Sequence, residues 1–290
     1  MTLTAVADEE TPDSAVHRPA TRSFRAYNVG LAKTGTRSMA GIFGRYRSLH
    51  ELLFPETVQA VADRRSGALS EQQFRAFIRW RDGLTQLDMD SSSFNCYYVD
   101  VLAEEFPDAR FVFVVRDCFS WLDSFMNMVL HIGGAMDSWM VSYIGWFLGP
   151  GYLPDLADHE EELGRRLPDM IDHGLRYWAD HNRFVLQHLP AGRSLILRTD
   201  DFSRSIPEVA RLVGVPPETL TPNLSHLNQA DGKYHCLQMV DRSVVRETYE
   251  RYCVELMREL FPAASLESLL ARHCAAGPTR EGSAALGQAQ

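Results

Sequence analysis

Five consecutive apolar residues, Phe111 to Val115, are the feature that most constrains the fold of this chain. A strand that is apolar at every position must be covered on both faces, as the strands of a parallel sheet are. Further strand patterns, FRAYNVGLA and RSLILRTDDF, alternate along the chain with helical patterns. Alternating strands and helices predict βαβ units. The predicted fold class is therefore α/β, with a central, mostly parallel sheet flanked by helices on both faces.

The helical patterns differ in how well their ends are marked. SEQQFRAFIRWRDG predicts a helix with Ser70 as its N-cap, and SIPEVARLVGV predicts a helix with Pro207 in its first turn. PDMIDHGLRYWADHNRFVLQHL predicts one long helix, and DRSVVRETYERYCVELMRELFP predicts the last long helix. The stretch SLHELLF fits a second short strand or a turn, and LTQLDMD fits the end of a strand.

The composition is that of a globular protein with one domain. The chain has 290 residues, of which 45% are hydrophobic, enough for a sizeable core. Residues 1–22 and 275–290 lack periodicity and predict disordered tails. No repeat or linker interrupts residues 23–274, so they are predicted to form a single domain. The formal net charge of −9 argues against a nucleic-acid partner, which usually requires a basic face.

Cysteine usage and hydropathy indicate the compartment. The five cysteines are odd in number and include no CxxC pair, which argues against a disulfide framework or a structural zinc site. The N-terminus lacks the apolar segment of a signal peptide. The most apolar window, Trp139–Leu153, is too short and too broken by glycine and proline to span a bilayer. We therefore expect a cytoplasmic protein with no membrane span.

The stretch YNVGLAKTGTRSM looks like a strand, a glycine-bounded loop and the start of a helix. Gly30 and Gly35 have the spacing of a Walker loop, but Thr36 and Arg37 occupy the positions of its Lys and Ser/Thr. The lysine, Lys33, lies inside the loop. Because the final Ser/Thr of a Walker loop holds magnesium, magnesium-assisted phosphoryl transfer is disfavoured.

An anion site is nevertheless predicted in this loop. Backbone N–H groups from Lys33 to Ser38 and the positive end of the helix dipole can face a phosphate. The hydroxyls of Thr34, Thr36 and Ser38 can do the same. The alternative is a glycine-bounded turn whose lysine is merely solvated.

A second polar pattern follows the apolar strand. Arg116 ends that strand, where α/β sheets bind ligands, and Ser124 lies eight residues further on in the next predicted helix. Arginine offers a fork of donors to a phosphate, and serine offers one hydroxyl. The alternative is that Arg116 pairs with Asp117 or caps a helix.

Together the two patterns resemble the PAPS-dependent sulfotransferase family. AKTGTRSM, residues 32–39, is similar to that family's loop of the kind PKTGTTSL. Arg116 and Ser124 match its arginine at a strand end with a serine eight positions later, and EEFPDARFVFVVRDCFSWLDSF resembles one branch in particular. LILRTDDF followed by IPEVARLVGVP resembles a later turn and helix. The resemblance extends over roughly residues 24–262, and it implies a P-loop-containing nucleotide hydrolase-like architecture.

The resemblance implies an enzyme that transfers a sulfuryl group from 3′-phosphoadenosine 5′-phosphosulfate (PAPS) to a hydroxyl or amine. Adenosine 3′,5′-bisphosphate is the product, and no metal is required. Residues Lys33 to Ser38 would hold the 5′-phosphosulfate, with Lys33 stabilising charge on the bridging oxygen. Arg116 and Ser124 would hold the 3′-phosphate. Arg37 departs from the family pattern, where Thr or Ser is commoner, and either touches phosphate or lies on the surface.

An acceptor hydroxyl needs a general base, which is a histidine or a glutamate in the family. The candidates, in order of preference, are Asp88, Glu51, His50 and Asp90. Asp88 comes first because its spacing before Phe94 is like that of an acidic residue near the cleft of the branch resembled. The alternative for each is a surface or helix-capping polar group.

Three further features are open at this stage. LNQADGKYHC fits either a late loop that covers the nucleotide, with Lys233 near phosphate, or an ordinary surface loop. His131 is a cleft candidate or an ordinary helix histidine, and His226 and His235 lack the spacing of a zinc site. The run Trp139–Leu153 is a buried core helix or an aromatic wall for a hydrophobic small-molecule acceptor. A homodimer is an open alternative to a monomer.

Two rival functions remain. A P-loop kinase or other nucleotide phosphotransferase would have a Lys-Ser/Thr pair after Gly35, and that pair is absent. A non-catalytic nucleotide-binding module would have lost its reactive side chains, whereas Lys33, Arg116 and Ser124 are all present.

Overall fold

A five-stranded sheet forms the centre of the computed structural model, which describes residues 21–133, 138–149, 152–221 and 234–274. The strands are β1 (Ala26–Asn28), β2 (Ser48–His50), β3 (Met89–Ser91), β4 (Arg110–Val115) and β5 (Ser194–Arg198). Their order is β2-β3-β1-β4-β5, and every neighbouring pair is parallel. The α/β prediction is confirmed. The carboxyl ends of all five strands meet at one edge of the sheet.

Helices cover the two faces of this sheet. They are α1 (Thr36–Ile42), α2 (Phe54–Ser66), α3 (Glu71–Thr85), α4 (Val99–Glu105), α5 (Cys118–Ile132), α6 (Ser138–Leu148), α7 (Glu160–His188), α8 (Ile206–Val213), α9 (Arg242–Tyr252), α10 (Val254–Leu260) and α11 (Leu266–His273). The smaller core cluster joins α1 and α8 to one face, and the larger one joins the other helices to the opposite face.

Strand β4 shows why its apolar run predicted a strand covered on both faces. Phe111, Phe113 and Val115 belong to the larger core cluster, whereas Val112 and Val114 belong to the smaller one. Successive side chains of a strand point to opposite faces, so a strand between two cores must be apolar throughout.

Local signals placed several elements correctly. The Ser70 hydroxyl accepts the N–H of Gln73, and the Gln73 side chain accepts the N–H of Ser70, so α3 starts with a complete capping box. Pro207 lies in the first turn of α8. The stretch SLHELLF, for which both a short strand and a turn were open, begins with β2.

Two helix predictions differ from the structure. α7 begins at Glu160 and contains Pro168, because the buried positions Leu163 and Leu167 continue the apolar stripe ahead of the proline. The predicted last long helix is two helices, α9 and α10. They are separated at Cys253, which ends α9 and precedes α10, and α11 follows them.

The predicted tails fall mostly outside the described residues and stay predictions. Arg22, which was assigned to the first tail, is described, and its guanidinium pairs with Asp82 at 2.8 Å. All five cysteines are free thiols. Within the described residues, no helix is long and apolar enough to cross a membrane.

Candidate active site

The loop between β1 and α1 is held in an unusual backbone conformation. Lys33 has a φ of 68° and Gly35 a φ of 106°, both left-handed. The Thr34 hydroxyl donates to the carbonyl oxygen of Leu31 at 2.7 Å and closes the turn from inside. A non-glycine residue at positive φ costs free energy and persists only where its surroundings impose it. The loop is therefore fixed by its surroundings.

Side chains from distant elements fix the loop through its carbonyl groups. The indole N–H of Trp121, on α5, donates to the Ala32 carbonyl at 2.8 Å. Arg116 donates to the Lys33 carbonyl at 3.4 Å, and the Thr199 hydroxyl, just after β5, lies 3.2 Å from the Thr34 carbonyl. Three consecutive carbonyl oxygens are thus occupied by the protein.

The loop also packs closely on β4. A Cβ atom at Gly30 would lie 2.6 Å from the Val114 carbonyl oxygen and 2.5 Å from Thr34 Oγ1, so only glycine fits. At Gly35 a Cβ atom would meet nothing within 4 Å. The loop backbone is therefore packed against β4 at Gly30 and free of neighbouring atoms at Gly35, where a ligand can approach it.

Lys33 and Arg116 place two half-buried cations side by side at the carboxyl edge of the sheet. Burial lowers the pKa of Lys33, and the charge of Arg116 lowers it further. Burial also lowers the pKa of Arg116, while Asp117, Asp200 and Asp123 oppose that shift. Two like charges out of water destabilise each other, so an anion bound between them would be stabilised by both.

Arg116 is held from behind by α7. The indole N–H of Trp178 donates to the Arg116 carbonyl at 3.0 Å. Ser124, the partner predicted for Arg116, is half-buried within α5. Its hydroxyl forms no hydrogen bond to any described residue.

His50 and Glu51, two of the predicted base candidates, lie beside the loop at the end of β2. His50 Nε2 is 3.0 Å from Thr36 Oγ1 and 3.7 Å from Glu51 Oε1. Ser93 Oγ donates to Glu51 Oε1 at 2.5 Å. The side chain of Tyr143 on α6 lies near Ser93 and interacts with it. A polar chain therefore runs from the first helical turn of α1 to α6.

The surroundings of His50 favour its neutral form over its protonated form. Burial lowers the pKa of His50, Glu51 and Asp90 raise it, and the positive charge of Arg37 lowers it. The Arg37 side chain is exposed and near enough to act on this histidine.

The structure does not bring Asp88, the first-ranked base candidate, to the loop. Asp88 precedes β3 and lies at the amino edge of the sheet. Its carboxylate accepts N–H groups from Ser23 at 2.5 Å, Phe24 at 3.3 Å and Arg47 at 2.9 Å. It is fully buried and ties the first ordered residues to the sheet. This placement suits a structural carboxylate and not a base at the carboxyl edge.

Asp90, another base candidate, is paired with an arginine away from the loop. It forms a buried ion pair with Arg81 of α3, which also donates to the Leu52 carbonyl at 3.1 Å. Removing one member of such a pair leaves an uncompensated buried charge. Asp90 therefore fixes α3 against the sheet, and it does not face the loop as a free carboxylate.

Of the loop hydroxyls, Thr34, Thr36 and Ser38 are all buried. The prediction that Thr34 offers its proton to a ligand conflicts with the hydrogen bond to Leu31. Thr36 faces His50 in this structure. The backbone N–H groups at the start of α1 have no acceptor within the helix and remain the loop's donors.

The remaining candidates are Lys233 and the histidines His131, His226 and His235. His131 Nδ1 bonds the Asn127 carbonyl of its own helix at 2.7 Å, as an ordinary helix histidine does. Lys233 and His226 lie outside the described residues. His235 is exposed, and no cluster of three potential metal ligands occurs in the described parts of the chain.

The apolar run Trp139–Leu153 forms α6 within its described part. Tyr143, Ile144, Phe147 and Leu148 are buried in the larger core, which matches the core-helix alternative. Trp146 is half-buried, and the Arg65 guanidinium lies 4.7 Å from the centre of its ring.

Sequence reasoning did not identify four supporting residues of the site. Trp121 and Thr199 bond the loop, Trp178 bonds Arg116, and Ser93 bonds Glu51. The stretch EEFPDARFVFVVRDCFSWLDSF, which resembles one branch of the family, contains Trp121, so this residue could have been found. Trp178 and Thr199 act across 62 and 165 positions of the chain, and no local pattern signals such contacts.

Comparisons with known proteins identify the family of the chain. A sequence model described as "Sulfotransferase domain" matches residues 27–225. A sulfotransferase from Alicyclobacillus acidocaldarius is similar with a TM-score of 0.46 and 16% identity, over 85% of this chain and 98% of that one. A sulfotransferase domain from the curacin biosynthetic pathway has a TM-score of 0.40 and 15% identity, over 87% of this chain and 96% of that one. No curated protein matches the chain. Because the family match covers more than half of the chain, this protein belongs to the sulfotransferase domain family.

Proposed function

We propose that this protein transfers a sulfuryl group from PAPS to a hydroxyl or amine of a hydrophobic small molecule. The single observation that carries the proposal is the pair of half-buried cations, Lys33 in the β1–α1 loop and Arg116 after β4, beside three loop carbonyls that accept hydrogen bonds from the protein. Such a surface offers positive charge and N–H donors to a ligand, as an anionic donor molecule requires.

The residues present fit the two anionic ends of PAPS. The open backbone above Gly35 and the N–H groups at the start of α1 suit the phosphosulfate, with the Lys33 ammonium beside them. Arg116 suits the 3′-phosphate, and Ser124 on α5 supplies a hydroxyl from the helix that follows. When bound, the donor supplies the activated sulfuryl group.

We propose Glu51 as the general base and His50 as the residue that positions it. Ser93 and His50 both approach Glu51 Oε1, which leaves Oε2 for the proton of the acceptor. Glu51 takes that proton as the acceptor oxygen bonds to sulfur. Lys33 donates to the bridging oxygen whose bond to sulfur breaks. Positioning and charge stabilisation supply the catalysis in this scheme.

The family match supports a small-molecule acceptor, and we propose that its body is apolar. Tyr143 packs 5.1 Å from Phe94 and 4.9 Å from Phe147, between ring centres, within the buried core and not as an exposed wall. An apolar pocket with a few polar groups is the usual form of a small-molecule site. We also propose a cytoplasmic location, which the five free thiols support.

The test is transfer of labelled sulfate from PAPS across a panel of phenols, alcohols and amines. Lys33→Ala is expected to lower the transfer rate about 100- to 1,000-fold, the usual effect of removing one donor to a developing charge. Its affinity for adenosine 3′,5′-bisphosphate should be partly kept. An unchanged transfer rate would remove the role proposed for Lys33. The absence of transfer to every acceptor class, with nucleotide binding intact, would favour a non-catalytic module.

A further inference from the structure

A cavity of about 430 Å³ lies among α2, α3, α7 and the start of α4. Phe74, Tyr97, Phe184 and Val61 give it mostly apolar walls. Lys33, Arg116 and Glu51 do not line it, so it is separate from the loop described above. Its volume is in the range of small-molecule sites, about 300–1,000 Å³.

His181 supplies the polar group of this cavity with a defined orientation. Its Nδ1 lies 3.2 Å from the Tyr177 carbonyl, and a carbonyl can only accept, so Nδ1 carries the hydrogen. The ring stacks on Tyr177 with centres 3.8 Å apart and meets the edge of Tyr97 at 4.9 Å. The packing therefore fixes both the tautomer and the direction of Nε2.

His181 Nε2 is a hydrogen-bond acceptor at neutral pH. Burial lowers the pKa of His181 to about 4, with the nearby charge of Arg65 adding to this effect and the bond to Tyr177 opposing it. The ring is therefore uncharged, and Nε2 has a lone pair. In the described ranges of the chain no donor bonds to Nε2. A ligand in the cavity can supply one.

The charged groups around the cavity balance one another. Arg64 pairs with Asp100 at 3.3 Å, and its guanidinium lies 4.7 Å from the centre of the Phe74 ring. Arg65 and Asp180 are a further cation and anion of the lining. Two cations against two carboxylates leave no net charge to select an ionic ligand. The lining therefore suits an uncharged molecule.

We propose that this cavity binds an uncharged aromatic molecule bearing a hydroxyl group, which donates to His181 Nε2 while the ring packs against Phe74, Tyr97 and Phe184. The aromatic walls give the ligand its area of contact, and the histidine gives the hydroxyl its orientation. The site stands apart from the donor loop, so its occupancy does not depend on sulfuryl transfer.

The test is calorimetric titration of the full chain with p-cresol and with toluene, which have the same ring and differ in the hydroxyl. We expect p-cresol to bind the cavity about tenfold tighter than toluene, the effect of one hydrogen bond to a buried acceptor. His181→Phe should remove that preference, whereas His181→Gln, which keeps an acceptor oxygen, should retain part of it. Lys33→Ala should bind p-cresol as the wild type does.

Three results would overturn the proposal. One is the absence of p-cresol binding to the folded wild type. A second is an equal preference for p-cresol in the wild type and His181→Phe. The third is loss of p-cresol binding in Lys33→Ala, which would place the ligand at the donor loop. Failure of sulfuryl transfer would leave these results unchanged, so the two proposals fail separately.

Discussion

At the scale of single residues, backbone strain marks the site. Lys33 and Glu51 both have left-handed conformations, with φ of 68° and 53°, although neither is glycine. A non-glycine residue in this conformation costs of order 1–3 kcal/mol of folding free energy. Such residues occur more often in active sites and ligand-binding sites than elsewhere in proteins. These two are the residues proposed to stabilise the leaving oxygen and to accept the proton, and the described residues include three more non-glycine residues at positive φ, Leu53, Gln86 and His235. The strain is offset by bonds to their neighbours, such as Arg116 to Lys33 and Ser93 to Glu51.

The first prediction concerns the base. Glu51→Gln keeps the size of the side chain and removes its basicity, so the rate constant for transfer should fall about 100-fold or more. Adenosine 3′,5′-bisphosphate should bind as before, because Glu51 does not belong to the nucleotide-binding residues. Steady-state kinetics and calorimetry on the same sample measure the two effects.

Asp88→Asn is the matched control for that experiment. Asp88 accepts three backbone N–H groups, and an amide nitrogen would oppose at least one of them. The free energy of unfolding should fall by about 1–3 kcal/mol, with the transfer rate per folded molecule little changed. A large loss of transfer in Asp88→Asn, with none in Glu51→Gln, would restore Asp88 as the base.

A second residue prediction follows from the lowered pKa of His181. The pKa is about 4 in the folded chain against 6.5 in the unfolded chain, so the unfolded state binds the proton first as the pH falls. Stability should therefore drop between about pH 6.5 and pH 4. Because the ring is partly exposed, we expect about 2 kcal/mol between pH 7 and pH 4.5. The His181→Phe variant has no histidine to titrate at this position and should lose less stability over this pH range. Urea unfolding of the wild type and the variant at the two pH values measures the difference. The same pH dependence of stability in the wild type and in His181→Phe would contradict the lowered pKa of His181.

At the scale of elements, the β1–α1 loop depends on its contact with β4. Gly30→Ala would place a methyl group 2.6 Å from the Val114 carbonyl, so strand or loop must move. Overpacking of this kind costs about 1–3 kcal/mol. Gly83→Ala in α3 is the control, since nothing lies within 4 Å and alanine favours the helix by up to about 1 kcal/mol. Urea unfolding should therefore shift in opposite directions, and equal shifts would contradict the packing described.

The strands also show which parts of the fold and site the sequence could predict. The apolar run of β4 identified the sheet, and the lysine and arginine that follow β1 and β4 were placed at its carboxyl edge. The sequence placed Asp88 at the end of a strand, whereas β3 is only three residues long and begins after it, at Met89. Asp88 and Ser91 are close in sequence but lie at opposite edges of the sheet. Periodicity does not locate the ends of so short a strand.

At the scale of the whole molecule, the site exists only when distant elements meet. Trp121 of α5, Trp178 of α7 and Thr199 after β5 converge on the Lys33 loop and on Arg116 from positions 62 to 165 residues away. These contacts follow from the order of strands in the sheet, and no local sequence pattern encodes them. The whole fold therefore supplies a rigid frame around two cations that would otherwise repel.

The most direct test of the central claim is calorimetric titration with adenosine 3′,5′-bisphosphate and with ADP, both without magnesium. Because Arg116 is assigned to the 3′-phosphate, the bisphosphate should bind at least about tenfold more tightly than ADP, the effect of one or more charge-assisted hydrogen bonds. Arg116→Ala should abolish that difference. Equal affinity of the wild type for the two nucleotides would contradict the assignment of Arg116, and with it the proposed sulfuryl donor.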